Sequence, residues 1–283
     1  MFKALLLFGM AIWLSGCATL AWYGQAARGQ IELLAKREDI ADLIADPATP
    51  DDLRARLQYV LELRQFAVEE LHLPDGRSYR SYADLEREAA VWNVVATPAF
   101  SMTPKTWCYP IAGCLAYRGY FRRERAEAHR DRLAADGYDA AVFPAVAYST
   151  LGWFADPVLN TMLVDDDARL AGMIFHELAH EKLFVKGDTA FNEAYAGLVE
   201  REGVRRWLAA RERKDDLTRY LEQREQERAF TRLLLDARER LVELYARDLE
   251  EERLIAAKAG VFAELRDEYA AFADEEGTDR FDA

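Results

Sequence analysis

The chain has 283 residues, a formal net charge of −13 at pH 7, and 51% hydrophobic and 12% aromatic residues. The acidic surplus excludes nucleic acid as a partner, because a phosphate backbone needs a basic surface. The apolar content excludes a chain too polar to build a core, and the length suits one large domain, or one domain with a helical appendage.

The N-terminus reads as an export and lipidation signal. Lys3 gives a positive start, residues 4–14 are apolar, and Leu14-Ser15-Gly16-Cys17 matches a bacterial lipobox. Such an apolar run is too short to span a bilayer, which needs about twenty residues. Residues 1–16 are therefore expected to be removed, leaving Cys17 acylated and the chain tied to a membrane by lipid. Ala18, rather than Asp, follows the cysteine. Under the sorting tendency of Gram-negative lipoproteins, that favours the outer membrane of the cell envelope, facing the periplasm.

From Ala21 to about Leu71 the pattern is helical. Leu33, Leu34, Ile40, Leu43 and Ile44 fit one amphipathic helix, which Pro47-Ala48-Thr49-Pro50 breaks. Leu53, Leu57, Val60, Leu61 and Leu71 mark a second helix, and Pro74-Asp75-Gly76 a turn. Strand character begins at Trp92–Thr97 and returns at Thr106–Tyr109, Cys114–Tyr120 and Ala140–Tyr148, with a short helix between Glu124 and Asp136. These strands predict a mostly antiparallel sheet. Cys108 and Cys114 bracket a turn-forming stretch with Pro110 and Gly113. In an oxidising compartment a disulfide is expected there, contributing about 2–3 kcal/mol; two reduced core thiols would require a cytosolic protein.

The chemistry concentrates in Phe175-His176-Glu177-Leu178-Ala179-His180, followed by Asn192-Glu193. Asp165-Asp166-Asp167 can cap a helix, along which Leu170, Met173, Ile174, Leu178 and Leu183 recur at helical spacing. Histidines four apart share one helix face, with Cβ atoms roughly 5–6 Å apart, so both imidazoles reach a single Zn2+ at about 2.0–2.1 Å. Gly187-Asp188 reads as a reversal into a second helix, from Thr189 to about Glu202, that returns Glu193 as third ligand. Gly197 is expected to let the two backbones approach. A fourth position is left for water, and Glu177 is placed to take its proton as general base. Asn192, Asp188 and Glu200 are candidates to orient the ligands, and Glu181 is expected to face solvent. For an oxyanion donor, Tyr148 is the first choice among Tyr148, Tyr195, Tyr117 and Tyr120, because it precedes the metal helix at a strand end. His72 and His129 lie on helical stretches and are not expected to be ligands.

After Gly203 the chain is helical and highly charged. Leu217, Leu221, Phe230, Leu233, Leu234, Leu241, Leu244 and Leu249 predict a long helix or helical hairpin to about Phe272, its charges a solvated face with i,i+4 pairs. Residues 274–283 form an acidic tail, expected to be disordered. Three parts follow: a zinc-binding unit over 17–208 including the N-terminal helices, a charged helical region over 209–273, and the tail.

Cys108-Tyr109-Pro110-Ile111-Ala112-Gly113-Cys114, Tyr117-Arg118-Gly119-Tyr120-Phe121 and the run from Tyr148 to Pro157 resemble bacterial lipoproteins classed as predicted aminopeptidases. So does the segment from His176 through Gly187-Asp188-Thr189 to Asn192-Glu193-Ala194-Tyr195-Ala196. The last five residues are similar to the Asn-Glu-Gly-Phe-Ala of zinc aminopeptidases, on a tighter connection from His180. The resemblance runs from the lipobox to about Leu208, and the acidic C-terminal end departs from the family pattern. It implies an α+β zincin-type metallopeptidase of the gluzincin branch, with peptide substrates, one Zn2+ and Glu193 as third ligand. An endopeptidase is the nearest rival reading, and a non-catalytic envelope scaffold that keeps its zinc site is the rival of another class.

Overall fold

The structure, a computed structural model, describes residues 21–109, 113–148, 155–163, 166–278 and 281. The lipobox with Cys17, Pro110, Asp165 and Ser149–Phe154 of the resemblance motif lie outside the described residues. Helix α1 covers 21–35 of the described residues. The unbroken helix predicted through Leu33 and Ile44 is instead split by strand β1 (Arg37–Asp39) before α2 (Ile40–Ala45). Asp39 is the cause. Its carboxylate accepts the Ala41 N–H at 2.8 Å, restarting the helix, while β1 pairs antiparallel with β2 (Ser81–Ala83). Leu33 and Ile40 still both reach the core.

Helix α3 (Asp51–Glu69) buries Leu57, Val60, Leu63 and Ala67 at helical spacing. Strand β3 (Val91–Pro98) is the centre of an antiparallel sheet ordered β6-β3-β7, with β6 at Arg118–Tyr120 and β7 at Tyr138–Ala145. Its register sets Trp92 opposite Tyr120 and Val94 opposite Val142. Alternate residues Trp92, Val94 and Ala96 turn inward onto Ala126 and Leu133 of α4 (Arg123–Ala135).

The strand predicted over Cys114–Tyr120 is broken. β5 (Gly113–Leu115) pairs with β4 (Trp107–Tyr109) in a separate hairpin closed by the Cys108–Cys114 disulfide, while β6 joins the larger sheet. A third small sheet sets β2 between β1 and β8 (Val158–Leu159), with β2 and β8 parallel. The class is α+β, with small sheets in place of the single sheet expected.

The histidine-bearing helix α5 (Asp167–Lys182) does not take its main packing from the antiparallel sheet, whose inner face is already covered by α4. It packs between α3 and α6 (Thr189–Ala210), burying Leu170, Ile174, Phe175 and Leu178 with Leu63, Val204 and Trp207 in the larger core. The rings of Phe66 and Phe175 are 6.0 Å apart, and those of Phe66 and Trp207 5.1 Å. Helices α7 (Lys214–Tyr245) and α8 (Glu251–Glu276) form an antiparallel hairpin, tied by Arg240 to Glu264 and Glu268. Its ion pairs along one helix are spaced i,i+3, as in Arg219–Asp216 and Arg224–Glu227, rather than i,i+4. The acidic end expected to fray extends α8 to Glu276, where Gly277 adopts a left-handed cap. Phe281 then stacks on Phe230 at 4.4 Å.

Candidate metal centre

Local capping sets the two helices that build the centre. The Asp166 carboxylate accepts the Arg169 N–H at 3.0 Å and starts α5. Asp167 beside it pairs with Arg56 of α3 and with Arg213, 2.7 Å away at the entry to α7. At the other end, Gly187 turns the chain with φ 87°. Asp188 caps α6 through the Phe191 N–H at 3.0 Å. Buried Asn192 accepts from the Val185 N–H at 2.8 Å and donates to the Val185 carbonyl at 2.9 Å. Both side chains therefore act on the turn that delivers Glu193.

Three donors converge. His176 Nε2 lies 3.2 Å from His180 Nε2, and Glu193 places Oε2 3.3 Å from the first ring and Oε1 3.7 Å from the second. Ligands about 2.0–2.1 Å from a tetrahedral zinc lie about 3.3–3.4 Å from one another; the two rings are close to that separation, and Glu193 turns one carboxylate oxygen to each ring at that distance or a few tenths of an ångström beyond it. Across the ring, His176 Nδ1 donates to Glu200 Oε2 at 3.0 Å, which directs the Nε2 lone pair towards His180. Burial pulls the His176 pKa down, but the Glu200 hydrogen bond and the charges of Glu177, Glu200 and Glu193 outweigh it, and the net shift is upward. For His180, burial and then the neighbouring His176 win over Glu193, and the shift is downward.

Glycines permit this approach, but at positions other than the one anticipated. A Cβ on Gly197 would meet only the far end of Arg201. On Gly172 of α5 it would lie 3.3 Å from Cγ of Glu200, and on Gly203 of α6 it would lie 2.6 Å from the Phe175 ring. Gly172 thus makes room for the carboxylate that orients His176. A glycine inside a helix costs about 1 kcal/mol, so both positions carried a legible signal.

The family model described as "Putative aminopeptidase" matches residues 21–283. The chain belongs to that family. The match continues through α7 and α8, which corrects the departure expected after Leu208. No curated protein and no solved structure matches the chain.

Around the centre of this aminopeptidase-family chain, Glu177 is half-buried, and its charge helps to raise the His176 pKa. Tyr117, between β5 and β6, has its phenol pKa raised by burial and then by the charges of Glu193 and Glu177. Tyr148 is raised by burial and then by Asp156 and Tyr117, and its ring meets the Phe121 ring at 5.5 Å. Of the two, Tyr117 is the one whose pKa the charges of Glu193 and Glu177 raise. Tyr120 is hydrogen-bonded to His129 Nδ1 at 2.9 Å, and Tyr195 stacks on Phe191. Glu181, expected in solvent, is half-buried; burial raises its pKa against a Ser78 hydrogen bond, Asp156 raises it further, and Arg64 opposes. Among the described residues, His72 and His129 belong to no metal-capable cluster.

Proposed function

We propose that this chain is a zinc-dependent aminopeptidase of the gluzincin type, held in the bacterial cell envelope by a lipid on Cys17. The observation that carries the reading is the convergence of His176, His180 and Glu193, whose ligand atoms all lie within 4.8 Å of one another, with Glu200 on the far side of the first ring. Zinc held there would polarise a carbonyl and acidify water at neutral pH. Glu177 accepts the proton of the attacking water and returns it to the leaving amine, a role whose loss costs about 10²–10⁴-fold. Tyr117 stays protonated at neutral pH and donates its hydroxyl to the oxygen on which charge develops. Tyr148 packs its ring against Phe121.

The family description favours exopeptidase action, which requires recognition of a free substrate amine. The lipobox favours the outer membrane facing the periplasm, and the Cys108–Cys114 disulfide suits an oxidising compartment. Hydrolysis of a peptide mixture by wild type and by Glu177→Gln tests the mechanism, with free and N-acetylated substrates in parallel. The variant should keep its metal and lose about 10²–10⁴-fold in rate, and acetylation should abolish cleavage by wild type. Undiminished hydrolysis by Glu177→Gln would eliminate the mechanism, and cleavage of blocked peptides would make the chain an endopeptidase.

A further inference from the structure

Apart from the residues of the candidate centre, α1 and the start of α4 line an open cavity of about 350 Å³. Two glycines shape its α1 wall. A Cβ on Gly24 would meet nothing within 4 Å, leaving open space, whereas Gly29 is pressed so close to Phe121 that a Cβ would lie 2.1 Å from the ring. Arg28, Arg122 and Arg125 line this space, with Glu32 as its carboxylate. Glu32 is already engaged by Arg87 at 3.5 Å and faces Arg122 at 3.9 Å. Among the described residues, no carboxylate lies within ion-pair distance of Arg28 or Arg125.

Three exposed guanidinium groups share this hollow with one carboxylate, Glu32, so it carries a local positive surplus in a chain of net charge −13. Guanidinium forks match the oxygens of a phosphate group in charge and in bidentate geometry. The place in the chain narrows the source. Ala21, the first lining residue, is four residues beyond Cys17, which at about 3.3–3.6 Å per residue is at most about 14 Å. A lipid on Cys17 would hold the cavity within reach of the phosphate layer of the membrane.

We propose that the cavity is a phosphate-binding site that takes the headgroup of an anionic phospholipid and so orients the chain on the membrane. The site stands on the cavity and its arginines; only the lipid source rests on the anchor proposed above. Full-length chain is placed in nanodiscs of phosphatidylcholine alone, of phosphatidylcholine with phosphatidylglycerol, or of phosphatidylcholine with added inorganic phosphate. Modification by phenylglyoxal is then mapped by peptide mass spectrometry.

Phosphatidylglycerol should slow modification of Arg28, Arg122 and Arg125 several-fold and leave exposed Arg232 unchanged. Gly24→Leu, which fills the hollow without altering charge and favours the helix, should remove that protection. Protection by inorganic phosphate but not by phosphatidylglycerol would keep the phosphate site and overturn its lipid source. Equal modification in all three preparations would overturn the site itself. A chain that fails to enter the discs contradicts the anchor instead, and the inorganic phosphate arm, run on free chain, still decides the site.

Discussion

Glu200 acts on His176 and on nothing that a metal would touch. Its carboxylate holds Nδ1, fixes which ring nitrogen is left for the ion, and is itself approached by Arg224 at 3.9 Å. The cluster of His176, His180 and Glu193 was legible in the sequence, because the helical period puts the two histidines on one face and the Gly187 turn returns Glu193 to them. For the oxyanion donor, the sequence favours Tyr148, while the charges around Tyr117 favour that residue. Thirteen tyrosines compete for the role, and the case for Tyr117 comes from its place between β5 and β6 near the charges of Glu193 and Glu177, a tertiary feature that no local spacing encodes. Tyr117→Phe should therefore lower kcat by about 10²–10³-fold with metal content unchanged, as expected on losing an oxyanion donor. Tyr148→Phe should stay near wild-type kcat. Steady-state rates of both variants check this, and the reverse ranking would restore Tyr148.

At the scale of elements, the contact between α5 and α6 depends on Gly203. Alanine is the better helix former by about 1 kcal/mol, but its Cβ would lie 2.6 Å from Phe175 and 2.8 Å from Leu71. Overpacking of that kind costs about 1–3 kcal/mol, and Phe175 precedes the first ligand. Gly203→Ala should lower stability in urea denaturation; a variant as stable as wild type would show that the helices can slide apart freely.

The sheet carries a second dependence. His129 on α4 packs its ring against Trp107 and Tyr120, and burial, with Arg118, Arg132 and Lys105, depresses its pKa to about 4. The unfolded ring takes its proton near 6.5, so between pH 6.5 and about 4 the unfolded chain binds a proton that the folded one refuses. Stability should fall through that window, and His129→Gln should flatten the decline measured by denaturation at each pH. Identical slopes would remove His129 as the cause. Element types were mostly readable, since apolar spacing specifies a helix or strand. Which elements share a sheet was not, because that depends on α4 reaching the inner face before α5.

Across the whole molecule, the C-terminal hairpin links the metal centre to the sheet. Arg224 of α7 faces Glu200, while Lys258 of α8 donates to the Ala99 carbonyl at 2.8 Å and pairs with Asp139. Tyr245 meets Phe100 at 5.9 Å. In the sequence these charges read as a solvated face, and many are; the few that bridge elements are indistinguishable without the fold.

The account rests on a single ion clasped by the two rings and residue 193. Zinc content by inductively coupled plasma mass spectrometry, measured with peptide hydrolysis on the same samples, tests it most directly. Wild type should carry about one zinc per chain, and His180→Ala and Glu193→Gln should lose metal and hydrolysis together. Hydrolysis that persists in metal-free wild type would contradict it.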